Sequence, residues 1–181
     1  MRKIHFIQIF SGIMILLLIG CAGEEGENLE VLVFSESLFD EVAQSEIDDL
    51  VGDLWNSKSE MKPVESQFFL PLHERLLIEI ASHNGDILLV NDEVLDMTVD
   101  SEGLYAFDDY FPEDLLQVPD VVLDSLPEDD QSNVYAYPLH HSDVFSELLN
   151  DEKLYAIVPI YVDDPDSSFA LLEGFIEKEK R

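Results

Sequence analysis

The stretch LLIEIASHNGDILLV, residues 76–90, limits the fold more than any other part of the chain. Leu72, Leu76, Leu77, Ile80 and Ala81 recur at helical spacing and predict the inward face of a helix. Asn84-Gly85 ends that helix, because Gly accepts the left-handed conformation just beyond a helix cap. Ile87 to Val90 then run without a polar interruption, as in strands that a parallel sheet buries on both faces. Asp86 stands at the joint. The amino end of a parallel strand lies opposite the edge where such sheets bind ligands, so Asp86 is expected to be scaffold.

The same grammar recurs upstream. EVLVFSES supplies a short apolar strand from Leu29, and Ser37, with Asp40 three residues on, predicts a helix start. Phe39, Val42, Ala43, Ile47, Leu50, Val51 and Leu54 follow at helical spacing. KPVESQFFL is a patchier strand, and Pro71 suits the first position of the next helix. Strand, helix, strand, helix, strand predicts a small wound α/β domain with a mainly parallel sheet, helices on both faces and right-handed crossovers. From Asn91 to Asn133 the chain is acidic and broken by Pro112, Pro119 and Pro127, which predicts short helices and loops. NVYAYPL and KLYAIVPIYV are further strands around a short helix at DVFSELLN, and SSFALLEGFIEKEK is a closing amphipathic helix after the turn-forming DDPD.

At the amino terminus, Arg2 and Lys3 precede an apolar run from Phe6 to Gly20, too short for the roughly 20 apolar residues of a membrane span. The run ends in Leu18-Ile19-Gly20-Cys21, which resembles the bacterial lipobox. That resemblance implies a signal peptide over residues 1–20 and a lipidated Cys21 at the head of the mature chain. AGEEGEN makes residues 21–28 a flexible tether, leaving 29–181 as one domain. The expected location is the outer or periplasmic side of a cell membrane, held through the acylated cysteine. With one Cys in the chain, no internal disulfide can form.

Charge narrows the partners. The formal net charge is −31, and loss of the signal leaves seven Lys and Arg against 40 Asp and Glu, or −33. No Lys or Arg occurs between Arg75 and Lys153. Such a surface repels phosphate backbones and anionic headgroups, which excludes nucleic acid and makes the lipid, not the protein surface, the membrane contact.

The lipobox, VLVFSES, LLIEIASHNGDILLV, FDDYFPEDL, VYAYPL and LYAIVPI followed by FALLEGFIE stand in an order similar to that of the extracellular solute-binding lipoproteins of ABC importers. The resemblance implies a fold like one lobe of a periplasmic binding protein. It also implies a binding or accessory role toward a small polar solute or an ABC permease. The chain has room for a single lobe, so capture between two lobes is not expected.

In open parallel sheets, ligands gather beyond the carboxyl ends of the strands. That edge would carry Ser35, Glu36 and Ser37 after the first strand, Asn91 and Asp92 after the third, and His140 and His141 after VYAYPL. His140, His141, Asp143 and Glu147 have metal-binding side chains, but their spacing matches no zinc signature and neighbours on a strand point to opposite faces; no metal is assigned. Thr98 to Asp109 faintly echoes a calcium loop, with Thr98 and Asp109 standing where Asp and Glu are needed. Gly-x-Ser-x-Gly, His-Glu-x-x-His and a Gly-rich phosphate loop are all missing from the sequence. The expectation is a binding module with no cofactor and no enzymatic activity. An alternative is an acidic envelope protein that meets cations or proteins without a solute pocket.

Overall fold

The computed structural model describes residues 28–56, 62–96, 98–99, 101–125 and 132–178. The signal segment, Cys21, residues 22–27 of the tether, Asp100 and Pro127 lie outside the described residues, as does the Asp143 side chain. In chain order the elements are β1 (Leu29–Phe34), α1 (Glu41–Asn56), β2 (Val64–Phe69), α2 (His73–Ala81), β3 (Ile87–Asn91), α3 (Asp92–Leu95), a 3-10 turn (Phe107–Asp109), α4 (Glu113–Leu116), β4 (Val122–Ser125), β5 (Ser132–Pro138), α5 (Asp143–Ser146), β6 (Leu154–Ile157) and α6 (Pro165–Lys178). The strands form a six-stranded mixed sheet in the order β2-β1-β3-β6-β5-β4. The protein is an α/β fold.

The parallel part is the predicted wound unit. β1 pairs in parallel with β2 on one side and β3 on the other, with Val31 opposite Ile87 and Phe34 opposite Val90. The remaining pairings, β3 with β6, β6 with β5 and β5 with β4, are antiparallel. Among the described residues no long crossover helix spans these later strands, for α5 is a single turn, and the parallel arrangement stops at β3.

Alternation along the strands divides the core into two layers. Val31, Val33, Ile87 and Leu89 face α1 and α6, where they meet Ile47, Val51, Trp55, Phe169, Leu172 and Phe175. Leu32, Phe34, Leu88 and Val90 face the other way, onto Leu76 of α2 and onto Val94 and Leu95. An aromatic group of Phe107, Tyr110, Phe111, Tyr137 and Phe169 ties the middle of the chain to α6 and β5.

Four expectations are corrected. α1 starts at Glu41 rather than beside Ser37, because Asp40 Oδ1 accepts from the Val42 and Ala43 amides at 3.0 and 3.2 Å and is the true cap. The middle segment holds a strand, β4, formed by pairing with β5 rather than by any local pattern. On α2, Leu76 is buried, whereas Leu72, Leu77 and Ala81 are exposed, since β1 and β3 offer that helix a narrow seat. The left-handed position after α2 is taken by His83 (φ 56°), with its amide bonded to the Ile80 carbonyl and that of Asn84 to the Glu79 carbonyl, the two bonds of a Schellman ending.

Gly85 (φ 82°) has a different duty: it lets the chain enter β3 against the core. A Cβ there would come within 2.7 Å of the Leu32 side chain and 2.9 Å of the Leu88 side chain. Gly85→Ala is therefore expected to cost about 2–4 kcal/mol, from left-handed strain and overpacking together. In urea unfolding its midpoint should fall with an unchanged slope, and a midpoint equal to wild type would contradict this packing.

Candidate functional site

β1 leads to a helix on one face of the sheet, and β2 leads through a helix on the other face to β3, so the winding changes direction between β1 and β3. The crevice beyond the carboxyl ends of those two strands is where such a sheet receives a ligand. Here the protein fills it with its own side chain. Glu152 Oε2 accepts from Ser35 Oγ at 2.5 Å and from the Ser37 amide at 3.0 Å, while Oε1 accepts from the Glu36 amide at 3.2 Å and from Asn91 Nδ2 at 2.9 Å.

Each donor is held for the purpose. Ser35 is buried, and its Oγ also accepts from the Leu38 amide at 3.1 Å. Ser37 Oγ donates to the Leu149 carbonyl at 2.7 Å, fastening the loop after β1 to the turn that carries Glu152. Asn91 is buried as well; its Oδ1 caps α3 at the Val94 amide, leaving the amide nitrogen for Glu152. Asn150 and Asp151 are both left-handed (φ 47° and 73°), a conformation that Asn and Asp tolerate better than most residues, and this sharp turn delivers Glu152 to the crevice.

Burial acts to raise the Glu152 pKa, but the bonds from Ser35, Ser37, Asn91 and Glu36 outweigh it and hold the carboxyl below its ordinary range. The predicted residues Ser35, Glu36, Ser37 and Asn91 are thus brought together, around an internal carboxylate. Asp92 is exposed at the start of α3.

His140 and His141 lie beside this crevice, in the turn after β5 rather than on a strand, so their rings do not diverge: the centroids are 4.3 Å apart. Asp120, left-handed at φ 63°, joins them. Its Oδ2 lies 3.4 Å from His140 Nε2, 3.6 Å from His141 Nε2 and 3.2 Å from Lys153 Nζ. The hydrogen bond from Lys153, and then that with His140, lowers the Asp120 pKa. Asp120 carries no sequence signal for this role; it lies in an acidic, Pro-broken segment where any carboxylate looks alike. The calcium-like loop is otherwise engaged: the Thr98 hydroxyl donates to the Leu95 carbonyl at 2.9 Å and Asp108 accepts from the Val134 amide at 2.6 Å.

At the opposite, amino edge of the sheet opens a cleft of about 510 Å³, its wall including Glu30, Lys62, His83, Asp86, Tyr161 and Asp164. Asp86 does the scaffold work expected of it, for its Oδ2 accepts from the Glu30 amide at 2.8 Å and its own amide donates to the Glu30 carbonyl. It also lines the cleft. Burial is the main reason its pKa is raised, with Asp163 and Asp164 adding to the shift and the Glu30 amide and Lys62 opposing it. Tyr161 donates to the Asn84 carbonyl at 2.7 Å and stacks on His83, and burial pushes its phenol well above the usual range.

Comparison with family models, with curated proteins and with solved structures finds no match to this chain. Its chemistry rests on the geometry above.

Because the folded Glu152 carboxyl titrates below its ordinary value of 4.5, its stabilisation is complete above the unfolded pKa and is lost as the pH falls through the folded one. Glu152→Gln is expected to cost about 2 kcal/mol near neutral pH, and progressively less below the ordinary value. Chemical denaturation of both proteins from pH 7 to pH 3 checks this; a gap that does not narrow would contradict the assignment.

Proposed function

We propose that this chain is an exported lipoprotein, held at the membrane through acylated Cys21, whose α/β domain acts as a binding or transport-accessory module without enzymatic activity. The lobe-like reading of the fold, by resemblance to solute-binding lipoproteins of ABC importers, belongs to this proposal. The observation that carries it is the division of the two sheet edges. Glu152 occupies the anion-friendly crevice between β1 and β3, whereas the amino edge presents an open polar cleft.

The cleft's chemistry selects its ligand. Glu30, Asp86, Asp163 and Asp164 line it, with Lys62 as the opposing cation, 4.0 Å from Asp164. Its volume falls within the range of roughly 300–1,000 Å³ usual for small-ligand sites. A small polar solute bearing a positive charge, or a basic segment of a permease, fits this wall; an anion does not. The second reading, an acidic envelope protein that meets cations or proteins without a solute pocket, is favoured by the net charge. No helix among the described residues is long and apolar enough to cross a membrane.

A thermal-shift screen separates the two readings. Cationic solutes are expected to raise the melting temperature of the wild type, by roughly 5–10 °C at a hundredfold excess over Kd, and not that of an Asp86→Asn, Asp164→Asn double variant. A flat screen, with stabilisation by calcium alone, would favour the second reading. For the anchor, Cys21→Ser should move the chain from the membrane fraction to the soluble fraction; a variant that stays with the membrane would contradict lipidation.

A further inference from the structure

We propose that Asp120, His140 and His141 form a binding site for a divalent transition cation of the zinc class. This site lies at the carboxyl edge, away from the amino-edge cleft, and does not depend on the function proposed above.

The donor set and its spacing carry the inference. Each of the three residues offers one ligand atom, and the three atoms lie within 4.8 Å of one another. Bonds of about 2.0–2.1 Å meeting at tetrahedral angles hold zinc donors about 3.3–3.4 Å apart. The Asp120 oxygen is already 3.4 Å from one imidazole nitrogen and 3.6 Å from the other. Small side-chain rotations close the rest. Two imidazoles and one carboxylate suit zinc and its neighbours better than calcium or magnesium, which prefer oxygen alone. Three protein ligands leave a fourth position open for water or for an atom of a bound partner.

A second observation concerns the orientation of His140. Its Nδ1 lies 3.1 Å from the Leu154 carbonyl, which can only accept, so the ring proton is assigned to Nδ1. With Nδ1 so engaged, Nε2 is the nitrogen left for a metal; it lies on the Asp120 side, 3.4 Å from Oδ2, and a metal would replace the proton that hydrogen bonds there. Histidine ligands of metals are commonly held this way, with the distal N–H on a carbonyl or carboxylate. The face of the His140 ring is set as well, edge-on to Tyr155 with centroids 5.2 Å apart. Against a cation stands Lys153, whose ammonium contacts the same Asp120 oxygen at 3.2 Å. Its side chain is about half exposed, at 46%, and is free to swing into solvent when a metal takes its place.

The test is calorimetric titration of Zn²⁺ into the purified protein, in excess Ca²⁺ to occupy the many surface carboxylates. One equivalent of Zn²⁺ is expected to bind. Loss of an outer-shell partner of a metal site commonly weakens binding by roughly 10–100-fold, so removal of a ligand in His141→Ala or Asp120→Asn should cost at least that. Lys153→Met should tighten binding, because it removes the competing ammonium. Co²⁺ should give the visible absorption of a low-coordinate ion in wild type and lose it in His141→Ala. Because His140 is nearly buried and its variants can unfold, the wild type supplies an independent check: Zn²⁺ should shift the ring resonances of both His140 and His141 by NMR. Equal Zn²⁺ affinity in wild type and His141→Ala, or ring resonances that do not move, would overturn the proposal.

Discussion

One carboxylate organises the functional half of this molecule. Glu152, on the turn that leads into β6, gathers donors from the loop after β1 and from the last residue of β3. Those segments meet at one edge of three adjacent strands, and without a common acceptor Ser35 Oγ, Asn91 Nδ2 and the half-buried Ser37 amide would lose an internal partner. An unmade hydrogen bond at a buried donor costs about 1–3 kcal/mol, so the bonds at this crevice are comparable with a sizeable part of a small domain's net stability. In a chain that cannot form an internal disulfide, such a tie between distant segments does work that a covalent bridge would otherwise do.

Its consequences run outward along β6. Leu154, two residues after Glu152, pairs with Asn91 across the sheet and offers its carbonyl to His140. Lys153, between them, reaches Asp120. The anchored turn thus sets both the filled crevice and the orientation of the His-Asp cluster beside it, so that the carboxyl edge carries a compact polar constellation. Space for a ligand of some size is found at the amino edge, where the Asp86–Glu30 contacts hold β1 and β3 together and the same carboxylates colour the cleft.

The parts written locally in the sequence were legible. The apolar runs Val31–Phe34 and Ile87–Val90 and the amphipathic period of α1 identify the wound unit, and that of α6 its closing helix, because each depends on neighbours in the chain. Ser35, Ser37 and Asn91 were likewise found from their position after predicted strands. What they bind was not, since Glu152 is 117 positions from Ser35 and is one of 40 acidic residues with no local mark. Asp120 escaped for the same reason. A strand continued from VYAYPL through the two histidines would make their rings diverge; the strand stops at Pro138, and the following turn brings both rings to one side. β4 and the exposed Leu72 and Leu77 show the same limit: pairing partners and seat width are properties of the assembled sheet.

The central claim is that the Glu152 carboxylate, and not solvent or a ligand, satisfies the donors of the loop after β1. Amide hydrogen exchange at Glu36 and Ser37, compared between wild type and Glu152→Gln under conditions where both are folded, addresses it most directly. These two amides should be protected in the wild type and exchange much faster in the variant, while the β1 amides from Val31 to Phe34 keep their protection. Amides at Glu36 and Ser37 that exchange freely in the wild type, or equally in the two proteins, would contradict the account.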